Sequence, residues 1–123
     1  MKRILIIEDE AIIRLGLIRL LQCHQFEAIG TSNANQGIQF ALENRPDLII
    51  CNINIPDRNG YQILDELRNN PNTATIPFLF LTAQILEPEL LVDFRMELVA
   101  YLAKPYNTEE LLQVITQLIG CSE

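Results

Sequence analysis

Residues that could do chemistry together are spread along this 123-residue sequence: three adjacent acids at Glu8-Asp9-Glu10, an amide at Asn52, a hydroxyl at Thr82 and an ammonium at Lys104. Adjacent carboxylates beside a neutral oxygen donor and a backbone carbonyl are what Mg2+ accepts, because that ion takes one or two carboxylates and keeps several waters. A lysine opposite would suit an anion bound on the metal. Each of these positions closes a short apolar run, so the chemistry depends on whether the runs are neighbours in space.

Three of the runs, Ile4 to Ile7, Leu48 to Cys51 and Phe78 to Leu81, are apolar throughout. Strands of that kind are covered on both faces, as in a parallel sheet. Two others are weaker: Phe26 to Gly30, interrupted by Glu27, and Tyr101 to Ala103, closed by Lys104-Pro105. These read as edge strands.

Helical patterns alternate with the runs. From Ala11 to about Gln22, Ile13, Leu17, Leu20 and Leu21 recur at a helical period, with acids just upstream favouring the positive end of the helix dipole. Ser32 or Asn33 can cap a helix carrying Ala34, Ile38, Ala41 and Leu42, which Asn44-Arg45-Pro46 stops. Pro56 and Asn59-Gly60 force a turn, and Gly60 to Arg68 then carries Tyr61, Leu64 and Leu67 on one side. Pro88 to Met96 reads as a fourth helix without a clean apolar stripe, and Asn107 with Glu110 forms a capping box for a last helix ended by Gly120.

Strand and helix thus alternate five times. Short right-handed crossovers make this an α/β fold, a flavodoxin-like doubly wound sheet of five parallel strands in the order 2-1-3-4-5, with helices on both faces. Such a sheet has its crevice at the switch point between the first and third strands. The rim beyond the strand ends would then gather Glu8-Asp9, Asn52, Thr82 and Lys104.

Composition narrows the functions. The size and the 49% hydrophobic content suit one domain over residues 1–123, with no room for a second. A net charge of −7 and scattered Lys and Arg argue against direct nucleic-acid binding. No apolar run is long enough to cross a bilayer, and Glu8 interrupts the start too soon for a signal peptide, so a soluble cytoplasmic protein is expected. Cys23, Cys51 and Cys121 have no metal-ligand spacing and read as reduced thiols, and the lone His24 reads as a surface residue. A Gly-rich phosphate loop and a nucleophile-base pair are both missing, which argues against an enzyme.

Taken in order, Glu-Asp-Glu after one strand, Pro-Asp-Arg-Asn-Gly after another, Thr-Ala after a fourth and Lys-Pro after a fifth resemble the receiver domain of two-component response regulators, of the single-domain chemotaxis type. The resemblance covers the whole chain. It implies that a histidine kinase or phosphotransfer protein, with Mg2+, would phosphorylate the residue at position 52. It further implies that Glu8, Asp9, residue 52 and the Asn54 carbonyl hold the metal, that Thr82 bonds a phosphoryl oxygen and that Lys104 pairs with phosphate or acceptor. Tyr101 would be the switch aromatic that reports on Thr82, Gly60 would free the turn into the third helix, and Ala83 would leave the phosphoryl group open to water. The signal would pass by protein contact, to an effector or in a homodimer, through the Pro88–Met96 helix, the Tyr101 strand and the Thr108–Ile119 helix.

Two departures qualify the resemblance. Asn52 stands where the family has its acceptor aspartate, and an amide cannot attack phosphorus as a carboxylate can. Intact partners around it favour an engineered Asp-to-Asn form holding the domain inactive; the alternative is a natural pseudo-receiver acting as a protein-interaction module without phosphate. Glu97-Leu98-Val99-Ala100 replaces a family turn that commonly begins with glycine, so a left-handed residue should be harder to form there. Taken singly, the acids also read as a first helical turn capped by Asp9, Thr82 as a strand-end hydroxyl, Tyr101 as an edge aromatic and Lys104 as a solvated charge.

Overall fold

The protein is described from a computed structural model over residues 1–82 and 98–120. In chain order the elements are β1 (Arg3–Ile7), α1 (Ala11–Cys23), β2 (Glu27–Thr31), α2 (Ala34–Asn44), β3 (Leu48–Asn52), β4 (Asn54–Ile55), β5 (Arg58–Asn59), α3 (Gly60–Arg68), β6 (Phe78–Thr82), β7 (Val99–Ala103) and α4 (Thr108–Ile119). The main sheet is parallel and ordered β2-β1-β3-β6-β7. Counting only its own strands, that is 2-1-3-4-5, as the apolar runs require.

Alternation along the strands divides the core in two. Leu5, Ile7, Ile49, Cys51, Phe78 and Phe80 pack with Ile38 of α2 and Ile63, Leu64 and Leu67 of α3. Ile4, Ile6, Leu48, Ile50, Leu79 and Leu81 pack on the other side with Leu17 and Leu21 of α1 and Leu111 and Ile115 of α4. The three central strands are therefore buried on both faces, whereas β2 and β7 are half-buried along most of their length. Edge position explains their weaker apolar character.

Local signals set the boundaries. Asn33, rather than Ser32, caps α2, its side chain accepting the Gln36 N–H at 2.9 Å. Asn107 and Glu110 form the capping box of α4, with bonds of 2.8 and 3.2 Å. A second box, Asn59 with Gln62, opens α3. Helix α1 starts differently: its N-cap is Glu10, with no side-chain hydrogen bond, so Asp9 is not the cap. That frees the acids from a purely structural reading.

Several expectations need correcting. The second strand starts at Glu27, and Phe26 instead plugs the core just ahead of it. Between β3 and α3, the expected turn is a two-stranded antiparallel ribbon, β4 against β5, folded at Pro56-Asp57. The glycine at position 60 is explained by space: a Cβ there would meet Phe80 Cε1 at 2.7 Å, Ile53 Cα at 3.1 Å and the Asn52 carbonyl at 3.2 Å. It sits in the first turn of α3, outside the left-handed region. The Pro88–Met96 helix, Ala83, Glu97 and Cys121 lie outside the described residues.

Leu98 adopts the left-handed conformation, with φ of 59°, although the sequence there suggested resistance to it. The Leu98 carbonyl accepts the Phe78 N–H at 2.9 Å, which ties the turn to β6. A Cβ in that region costs about 1–2 kcal/mol, partly offset by the extra backbone entropy of a glycine. Leu98→Gly is accordingly expected to raise stability by about 0.5–1 kcal/mol in urea denaturation; an unchanged or lower midpoint counts against that account.

Candidate functional site

β1 and β3 lie side by side in register, Ile7 beside Cys51. The alternation that sends Ile4, Ile6, Leu48 and Ile50 toward α1 and α4 also sends Glu8 and Asn52 to that side, one residue beyond the paired run. They meet there: the Asn52 amide nitrogen donates to the Glu8 carboxylate oxygens at 3.1 and 3.4 Å. The Asn52 side-chain oxygen accepts the Asn54 N–H at 3.3 Å. Both ends of the amide are thereby matched, and the opposite orientation would set oxygen against carboxylate and NH2 against N–H.

Glu8 is 3% exposed, an uncommon place for an acid. Burial pushes its carboxyl above the usual range; the Asn52 hydrogen bond and the Lys104 charge oppose that shift, and neighbouring Asp9 reinforces it. Three of the predicted residues, Asp9, Asn52 and Lys104, thus act on a fourth, Glu8. Tyr106, which the sequence reading passed over, shares this environment, its phenol raised first by burial and then by the Glu8 charge. The Cys51 thiol is raised for the same two reasons, burial first, and stays a protonated core group.

Thr82 and Lys104 close the rim. Thr82 is buried, and its carbonyl accepts the Lys104 N–H at 2.8 Å, which fixes where the Lys104 side chain begins. Asn52 pairs with Leu81, so Thr82 stands one step further out on the adjacent strand. By alternation Thr82 shares the α3 side of the sheet with Phe80 and with Tyr101, which lies beside Phe80 in β7.

Tyr101 continues an aromatic row. Its ring stacks on Phe80 at 5.5 Å, and Phe80 also meets Tyr61 of α3 at 5.2 Å. Both phenol oxygens are buried, and neither makes a hydrogen bond of good geometry among the described residues. Burial, then the nearby Tyr61 hydroxyl, pushes the Tyr101 phenol up. Tyr61 was foreseen only as a helix-face residue; its approach to Phe80 and Tyr101 joins residues far apart along the chain and leaves no local trace in the sequence.

The loop beyond Asn52 is held from two sides. Both Asp57 carboxylate oxygens accept the Ala34 N–H at 3.1 Å, so this acid reaches across to the first turn of α2. Arg58 donates to Glu66 of α3 at 3.1 Å and to the Asn35 side-chain oxygen of α2 at 3.1 Å. Asn54, exposed in the ribbon, is carried on that anchored loop.

Glu8 and Asp9 could supply two carboxylates to a divalent cation, with Asn52 and Asn54 as neutral oxygen donors. Among the described residues no group of three or more His, Cys, Asp or Glu side chains could hold a metal. An aspartate at position 52 would place one more acid beside Glu8. Mg2+ would fit this donor set, because the Asn52 side-chain oxygen keeps a second lone pair while it accepts the Asn54 N–H.

Comparison with known proteins gives the family and the fold. The family profile described as "Response regulator receiver domain" matches residues 4–116. Protein PilH of Pseudomonas aeruginosa is 29% identical over 120 residues, spanning 98% of this chain and 99% of its own length. Other curated relatives are longer, and the chain spans about half their length, 51% in the case of Response regulator Rre1 of Synechocystis. Among solved structures, the receiver domain of the sensor histidine kinase PA1611 from P. aeruginosa, which holds a magnesium ion in its active-site cleft, superposes with a TM-score of 0.85 at 25% identity, covering 97% of this chain and 98% of that one. Chemotaxis protein CheY4 of Vibrio cholerae shares the fold with a TM-score of 0.87 at 24% identity, covering 96% and 98%.

Proposed function

The chain belongs to the response regulator receiver domain family, and from that premise we propose that it is a receiver whose phosphoacceptor position is closed to phosphoryl transfer by Asn52. Receiver domains are signalling modules that bind Mg2+ in the active site and interact with histidine kinases, phosphotransfer proteins and effectors. The observation that carries the proposal is the Asn52 amide donating to Glu8, a bond no ionised aspartate could make.

In this reading Glu8 and Asp9 hold the cation, Thr82 and Lys104 receive phosphoryl oxygens, and Tyr101 follows Thr82 between two conformations. Mg2+, when bound, neutralises charge on the transferred group. The chain's own residues orient and screen, but at position 52 the nitrogen lone pair is delocalised and the oxygen lacks a full charge, so no acyl phosphate forms. An Asp-to-Asn change that holds a receiver off would give this arrangement. The complete matching of the amide favours a second reading, a pseudo-receiver that binds partners without ever taking phosphate.

Partner contact is proposed for the face that includes β7 and α4. Leu111 and Ile115 of α4 are core residues, and Leu112, Val114, Leu118 and Ile119 pack partly buried against them, so most of that helix's apolar surplus is spent on the sheet. The cytoplasm is the proposed location; no described helix is long and apolar enough to cross a membrane. Mg2+ titration tests the site: Asn52→Asp should bind the ion about tenfold or more tightly, since a full negative charge replaces a dipole next to a divalent cation. Equal affinities would overturn the assignment of residue 52 to the metal site.

A further inference from the structure

Arg14 lies in the second turn of α1, yet its guanidinium turns back to the end of β1. There it donates to the Glu8 carbonyl at 2.8 Å and to the Asp9 carbonyl at 3.4 Å. Its aliphatic stem crosses Gly30 of β2: a Cβ on Gly30 would meet Arg14 Cγ at 2.9 Å, Arg14 Cδ at 3.0 Å and Ile18 Cδ1 at 2.8 Å. The glycine therefore leaves the gap through which the arginine passes. Across the same strand pair, the Glu8 N–H donates to the Thr31 carbonyl at 3.0 Å. The backbone bearing the acid pair is thus held by β2 at the Glu8 N–H and by α1 at the two carbonyls, while both carboxylates remain unused by Arg14.

We propose that Arg14 is the positioning residue of the acidic turn, its guanidinium fixing the Glu8 and Asp9 carbonyls so that both carboxylates are set for a divalent cation, with Gly30 as the gap that admits it. The arginine spends its charge on backbone dipoles and pairs with neither acid, which leaves the acids their negative charge. This rests on the reading of Glu8 and Asp9 as metal residues.

The sign of one measurement separates positioning from simple charge. A cation near the acid pair repels Mg2+, so if Arg14 acted by charge alone, Arg14→Ala would tighten Mg2+ binding. Positioning predicts the reverse, a loss of about tenfold or more, the range seen when groups that orient metal ligands are removed. Mg2+ is titrated into the chain and into Asn52→Asp, each with Arg14 intact, as Arg14→Ala and as Arg14→Lys, at a temperature where circular dichroism shows all of them folded. Arg14→Lys keeps the charge, but its ammonium sits one bond short of the guanidinium nitrogen that makes both contacts, so it should also weaken binding. Gly30→Ala should mimic Arg14→Ala, with the double variant losing no more than either alone. Exchange of the Glu8 amide hydrogen, followed without metal, should accelerate in Arg14→Ala. Unchanged or tighter Mg2+ binding in Arg14→Ala overturns the role given to Arg14 and leaves the metal site standing. Failure of both Arg14-intact chains to bind Mg2+ overturns the metal reading and the proposal with it.

Discussion

Asn52→Asp incubated with Mg2+ and acetyl phosphate is expected to gain one phosphate-sized mass, whereas the chain with Asn52 gains none. The aspartate oxygen forms a bond to phosphorus as the bond from phosphorus to the acetyl oxygen breaks, and acetate leaves with the electron pair. The proposed site would supply the rest: the acid pair at the end of β1, the Lys104 charge felt by Glu8, and Thr82 on the strand beside β3. No gain in either chain would favour the pseudo-receiver instead.

The same substitution should weaken the metal-free fold. It removes the Asn52 to Glu8 hydrogen bond and places two carboxylates about 3 Å apart, so one of them must stay protonated or repel the other. Losing a buried partner of a charged group costs about 1–3 kcal/mol. The pH dependence follows from the raised Glu8 carboxyl: the folded state holds a proton that the unfolded state has released, so stability falls as pH rises through the interval above the ordinary glutamate range, then levels off. In Asn52→Asp that decline should be steeper and extend to higher pH, and Mg2+ should recover more stability than in the Asn52 chain. Urea midpoints across pH, with and without Mg2+, check this. Parallel pH profiles for the two chains would mean that Glu8 and residue 52 do not interact.

Gly60→Ala should be the most damaging single-methyl change near the site. The added carbon would sit 2.7 Å from Phe80, 3.1 Å from Ile53 Cα and 3.2 Å from the Asn52 carbonyl. Two of those three obstacles are backbone and cannot swing away. Overpacking of this sort costs about 1–3 kcal/mol, a fall in thermal midpoint of roughly 3–6 °C per kcal/mol for a domain this size. Because Phe80 stacks against Tyr101, the strain should also reach that ring. Pairing Gly60→Ala with Phe80→Leu relieves the ring contact and leaves the backbone ones, so partial rescue is expected. Full rescue, or no loss in Gly60→Ala at all, would show that the approach of β3 to α3 is looser than described.

The path from sequence to site was short where the signal was local. Continuous apolar runs identified the central strands because side chains on both faces of a parallel strand must be buried, and weaker runs identified β2 and β7 because edges are not. Asn107 with Glu110 announced α4 through a hydrogen bond between residues three apart. Glu8, Asp9, Asn52 and Lys104 could be named as neighbours because each ends a strand of one parallel sheet, and parallel strands point their ends the same way.

Sequence by itself therefore determined the strand order, the receiver resemblance and the presence of an amide at position 52, where that resemblance implies a carboxylate. Only the tertiary structure decided that this amide turns its nitrogen to Glu8, that Asp57 reaches the first turn of α2, that Arg14 crosses Gly30, and that Gly60 is small because Phe80 is close. The division has one physical reason. Burial and capping are decided by residues a few positions apart, while these contacts join residues brought together only after the crossovers have closed, and the distances that select them do not exist along the chain.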